Sequence, residues 1–152
     1  MRGMVAIAFF GLALGSVVNA APSPSAEAAV DAFHSALAKG DTRAAAALLS
    51  DDALVFEEGA AERSKAEYSA HHLPADAAFS KVVRLSPTRR FGDVANGMAW
   101  VSSEGRMAGT YKDHAVDRVT TETMILRETP DGWKIVHIHW SSAPAPTKAH
   151  SH

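Results

Sequence analysis

DGWKIVHIHWSS, residues 131–142, sets a turn pair ahead of a run of β-branched and aromatic residues, the composition of a strand. Side chains alternate along a strand. Trp133, Ile135, His137, His139 and Ser141 are therefore expected on one face, with Lys134, Val136, Ile138, Trp140 and Ser142 on the other. Both faces carry large apolar groups, so both are expected to be covered. Two imidazoles set among hydrocarbon on one face suggest that this face looks into a cleft.

The preceding residues supply a partner strand, giving TETMILRETPDGWKIVHIHWS over 121–141. A two-residue Asp131–Gly132 turn would pair Pro130 with Trp133. Leu126 then opposes His137, Met124 opposes His139 and Glu122 opposes Ser141. This register gathers Glu122, Met124, His137, His139 and Ser141 on one face, with Glu122 diagonal to His139 and within side-chain reach. A three-residue loop would turn one strand over, so the grouping depends on the turn.

Further upstream, SKVVRLSPTRRFG (80–92), MAWVSSEGRMAG (98–109) and VDRVTTETMILRE (116–128) read as strands divided by turn-forming segments. With the last strand they imply a strongly twisted antiparallel meander. The first half of the chain has helical period. Ser25 caps a helix whose Val30, Phe33 and Leu37 share a face and which stops at Gly40. Asp41 caps a second, Ala-rich helix. ALVFEEG (53–59) reads as a strand in which only one of Glu57 and Glu58 can point inward. Ser64 and Glu67 form a capping box for a third helix, bounded near Leu73 by Pro74. Helices first and strands second is an α+β order. The expectation is three N-terminal helices packed on a strongly curved antiparallel sheet, forming a cone with an internal cavity. The helices cover one sheet face, and a second copy of the chain is expected on the other, as a homodimer.

The start, MRGMVAIAFFGLALGSVVNA (1–20), has the charged opening, apolar middle and small-residue ending of a cleaved export signal. Its apolar run is shorter than the roughly 20 residues that cross a bilayer. The expected organisation is a signal at 1–20, a linker at 21–24, one domain at 25–142 and a flexible Pro/Ala-rich tail at 143–152. A periplasmic or secreted bacterial location follows, with no membrane association after cleavage. The chain has no cysteine, so packing alone holds the domain together. With 15 Lys and Arg against 17 Asp and Glu, and no basic cluster beyond TRR at 88–90, nucleic acid is not an expected partner.

Among candidate functional residues, a carboxylate beside an imidazole orients the ring and raises its pKa, which suits a general base. His139 and Glu122 are the candidate catalytic pair. A buried pair that only fixes register is the alternative. Tyr68 and His72, four apart on the third helix, lie on one side of it and would close the open end with a phenol and an imidazole. Trp100 and His137 are expected in the pocket wall. His137 and His139 with one of His71 and His72 offer metal ligands, but spacing fixes too few for a site. No metal or other cofactor is expected: the chain has no phosphate-cradling glycine loop, no G-x-S-x-G and no thiol.

The order of elements and the ending DGWKIVHIHWSS resemble the nuclear transport factor 2-like superfamily, in its SnoaL-like branch. The last strand is similar to that of the calcium/calmodulin-dependent kinase association domain. AAVDAFHSALAKGDTRAAAALLSDDALVFEEG (28–59) resembles the family's opening. The resemblance implies a cone with a cavity between the bent sheet and the helices, most often in a dimer. Ser102 and Met124 stand where the kinase domain carries pocket arginines, which adds both to the candidate ligand-binding residues. Members include isomerases, dehydratases, polyketide cyclases and non-enzymatic assembly domains, so fold alone does not choose an activity. The expected function is an exported domain whose cavity binds a small organic molecule; the sequence leaves open whether it also catalyses a proton transfer there, as an isomerisation, dehydration or cyclisation. A structural or assembly module and a metal-binding protein are the alternatives.

Overall fold

Ser25 accepts the Ala28 N–H through its side chain (3.1 Å) and starts the first helix, α1 (Ala26–Lys39), in a computed structural model that describes residues 25–146. The expected export signal at 1–20, the expected linker at 21–24 and the last residues of the expected tail lie outside the described residues. At the other end of α1, Gly40 takes a left-handed φ of 73°, and its N–H bonds back to the carbonyls of Ala36 and Leu37. Asp41 caps α2 (Thr42–Ala47), whose Ala45 is buried. Then follow β1 (Leu49–Glu57), β2 (Ala60–Glu62), α3 (Lys65–Ala70) and α4 (His72–Ser80). The second half is strand throughout: β3 (Val83–Ala95), β4 (Met98–Tyr111), β5 (His114–Thr129) and β6 (Gly132–Pro144).

The helices pack on one face of a six-stranded, curved and unclosed sheet of order β2-β1-β6-β5-β4-β3. Neighbours are antiparallel except β1 and β6, which run parallel, so the expected all-antiparallel sheet is a mixed one. The meander of four strands reaches β1 only at its last member. The core lies between the sheet and the helices: Val30, Phe33 and Leu37 of α1 and Leu73 of α4 meet Val55, Val101, Met124, Leu126, Ile135 and Ile138.

Three local expectations are corrected. The third helix is two helices, broken at His71, and Pro74 does not end it but sits in the first turn of α4. A first-turn residue has no intrahelical partner for its N–H, so proline is tolerated there. Strand β6 continues through Ala143 and Pro144, past the expected edge at 142.

The third correction is the register of the β5–β6 hairpin. The loop residues are Pro130 and Asp131, with Thr129 paired to Gly132. Proline presets the φ of the second turn position and cannot donate to the ladder, whereas Gly132 adopts a φ of 102°. Leu126 then pairs with Ile135, but Ile125 pairs with His137, so Val136 is an extra residue, a bulge. Beyond it every side chain of β6 points opposite to the simple alternation. Ile135 and Ile138, three apart, are both fully buried on the helix side. His137 and His139 turn to the outer face.

Candidate functional site

One register line crosses five strands on the helix-facing side: Glu57 of β1, Trp140 of β6, Glu122 of β5, Ser103 of β4 and Arg90 of β3. On one side of this line lies the packed core, Val55, Ile138, Met124 and Val101. On the other the sheet and the helices separate, leaving a pocket of about 1040 Å³. Residues from α1, α3, α4 and all six strands line it.

Glu122 is buried, 7% exposed, and lies on the pocket side. It accepts the indole N–H of Trp140 at 2.7 Å, and His34 Nε2 of α1 lies 2.7 Å from the same oxygen. Its imidazole partner is therefore His34, not His139. His34 sits on the buried stripe of α1, four residues after Val30 and three before Leu37, a position that a helical reading could have flagged. The expected Glu122–His139 pair does not form, because Glu122 pairs in register with Trp140 and His139 faces away.

A second cluster stands at the end of the pocket made by β1, β2, α3 and α4. Tyr68 of α3 is fully buried and donates its phenol proton to Asp76 Oδ2 of α4 at 2.6 Å. Burial, then the Asp76 charge, push the phenol far above its ordinary range, so it stays protonated. Burial also raises Asp76, against the bond from Tyr68 that favours its charged form. Glu57 is the inward member of the Glu57–Glu58 pair. Burial, aided by the charges of Asp76 and Glu58 and opposed by His72, lifts its carboxyl from 4.5 to about 7. His72 Nδ1 meets Glu62 Oε1, and this bond raises the imidazole above its usual pKa. Glu62 is itself buried, 5% exposed. Tyr68 and His72 thus both line the pocket, from two helices rather than one.

The remaining candidates fall elsewhere. Met124 is fully buried in the core beneath the register line. Ser102 lies on the outer face, bonded to Thr123 at 2.9 Å, and Trp100 is there too, 45% exposed. His137 and His139 pack edge-on to Phe56, with ring centroids 5.1 and 6.4 Å away. This outer face also exposes Leu54, Phe91 and Val119. The sheet separates His137 and His139 from His71 and His72, so these four cannot converge on one ion. A different trio, Glu62, Glu67 and His71, brings three ligand atoms within 4.8 Å of one another. Glu62 is bonded to His72, and Glu67 accepts the Arg63 N–H at 2.6 Å, so two of the three are already engaged.

The sequence profile of the SnoaL-like domain family matches residues 26–146. No curated protein matches the chain. Among solved structures, a ketosteroid isomerase by provisional assignment, from Shewanella frigidimarina, is 35% identical with a TM-score of 0.71, over 74% of this chain and 91% of that one. A provisionally assigned dehydratase of the NTF2-like family from Streptomyces avermitilis is 20% identical with a TM-score of 0.68, over 77% of this chain and 92% of its own. A calcium/calmodulin-dependent protein kinase II association domain, also provisionally assigned, from Xanthomonas campestris is 18% identical with a TM-score of 0.65, over 78% and 85%.

Proposed function

We propose, from the premise that this chain belongs to the SnoaL-like domain family, that its pocket binds a small organic molecule and moves a proton on it, in an isomerisation or a dehydration. The observation that carries this reading is Glu57. A carboxyl held at about 7 is half ionised at neutral pH, where a general base works best, and it lines a pocket with apolar walls. Glu57 takes a proton from a carbon next to a carbonyl, and negative charge moves onto the carbonyl oxygen. Tyr68, whose proton cannot be lost, stabilises that oxygen once the ligand competes with Asp76 for it. Returning the proton to a different carbon completes an isomerisation. Expelling the hydroxyl from the neighbouring carbon, which leaves as water with the proton that Glu57 took, completes a dehydration. The name of the relative at 35% identity supports the first outcome and the name of the relative at 20% the second. This assignment replaces His139 as base, since that ring lies across the sheet, and gives Glu122 a positioning role through His34 and Trp140.

The test is isomerisation of 5-androstene-3,17-dione to its conjugated isomer, read by ultraviolet absorption, with exchange of its α-hydrogens in D2O followed by NMR. Turnover or exchange that Glu57→Gln abolishes supports the reading. Full rates in Glu57→Gln, or a pocket that binds neither this ketone nor simple aryl ketones, refutes it. We further propose export, on the pattern of residues 1–20, and a homodimer through the exposed apolar face around Phe56 and Trp100. Cell fractionation and light scattering test these.

A further inference from the structure

The end of the pocket away from Glu57 has the opposite chemistry. Glu122 is followed along the inner side of β5 by Thr120 and then Arg118, about 13 Å up the strand at about 3.3 Å per residue. Thr120 pairs with Ser142 of β6, and all three side chains line the pocket. Arg118 donates from Nε to Ser142 Oγ (2.8 Å) and from Nη2 to the Ser142 carbonyl (3.1 Å). These two bonds fix the plane of the guanidinium. Among the described residues its third nitrogen, Nη1, meets no acceptor and no carboxylate lies within ion-pair distance of it. The other half-buried arginine of the wall, Arg90, is by contrast bonded to Asp31 at 2.8 Å. The hydroxyls of Ser142 and Thr120 likewise have protons with no acceptor among the described residues. Met107 and Pro144 pair with Arg118 on either side, and Val116 follows on the same face.

One oriented cation and two hydroxyl donors, set among apolar side chains with no acid of their own, form an anion site. We infer that Arg118, Ser142 and Thr120 bind the carboxylate of the ligand. The substrate is then an amphipathic organic acid, its charged head at Arg118 and its reacting carbons toward Glu57. A single guanidinium matches the one charge of a carboxylate better than the two of a phosphate ester. The acidic end made by Glu57, Glu62 and Asp76 repels the same head, so the ligand enters in one orientation. This inference rests on the pocket being a small-molecule site, but not on the proton transfer.

The experiment compares 4-phenylbutyrate with its neutral isostere 4-phenylbutanamide by calorimetry at pH 7.5, on the purified chain and on Arg118→Gln, Arg118→Lys and Ser142→Ala. The carboxylate is expected to bind at least tenfold more tightly than the amide, and Arg118→Gln to erase that preference by weakening carboxylate binding at least tenfold. Arg118→Lys, which keeps the charge but not the fixed plane, is expected to retain part of it, and circular dichroism checks that each variant is folded. Equal affinity for acid and amide overturns the inference while the small-molecule reading stands. Tighter binding of 4-phenylbutylphosphonate than of the carboxylate overturns the assignment of the head group. Binding of none of the three overturns both readings.

Discussion

Replacing Glu57 by Gln should stabilise the protein, and only above pH 5. The carboxyl titrates near 4.5 in the unfolded chain and at about 7 in the folded one. Below 4.5 both states hold the proton and the charge contributes nothing. Between 4.5 and 7 the folded state holds it more firmly, so stability falls as pH rises through this window. Above 7 the loss is complete. At 1.36 kcal/mol for each tenfold change in proton affinity, the full loss is about 3 kcal/mol. Water at the pocket mouth screens the group and reduces that to about 2 kcal/mol. Glutamine has nearly the same shape and no charge, so it removes the penalty without opening a hole. Urea unfolding of both proteins at pH 4, 6 and 8.5 should give curves that coincide at pH 4, with the variant more stable by about 2 kcal/mol at pH 8.5. A constant offset at all three values would refute the argument, because it would mean that Glu57 titrates alike in the folded and unfolded chains.

Tyr68→Phe leaves Asp76 buried without its donor; a loss of about 1–3 kcal/mol at pH 8, shrinking at pH 4 as Asp76 takes up a proton, should appear in the same unfolding experiment. His72→Ala should destabilise below pH 6. Its raised pKa contributes stability that is present below 6.5 and fades as pH rises through the folded value, so the gap to wild type should narrow at pH 9, and a gap that widens would contradict the Glu62 bond. Deleting Val136 removes the bulge and leaves Leu126–Ile135, Ile125–His137 and Met124–Ile138 as an unbroken ladder, so both isoleucines should stay in the core and circular dichroism should still show a folded chain; a variant that fails to fold would contradict the assigned register. His139→Ala, on the outer face, should leave pocket binding of 4-phenylbutyrate unchanged.

The helical half and the strand half of the fold were legible because their periods differ. Val30, Phe33 and Leu37 recur at helical spacing, and the β-rich runs from 80 onward are divided by turn residues. The face on which the two histidines would lie was not legible. Strand β6 is apolar on both sides, so alternation carried no information about which side faced the helices, and a single extra residue at 136 reversed the answer. Glu122 was identified as a buried functional carboxylate from its place in β5, yet its partner was assigned across the hairpin when it comes from α1. Asp76 is not legible in the sequence, because Pro74 reads as the end of a helix and places 76 in a loop. Tyr68 and His72 reached the pocket although the single helix meant to align them is two. In the sequence nothing sets Arg118 apart from Arg106 on the neighbouring strand; only the side chains around them do, since Arg106 is paired with Asp117.

The crosswise line from Glu57 to Arg90 divides the labour of each strand lengthwise. Toward Leu126, Ile138 and Val101 a substitution is felt by the whole molecule, since those atoms hold the layers together. Toward Val116, Met107 and Ser142 the same strands border empty space, and a changed side chain there alters what fits rather than whether the protein stands. A lineage carrying this scaffold can therefore exchange one small guest for another by drift along a few strand ends, with the foundation left untouched.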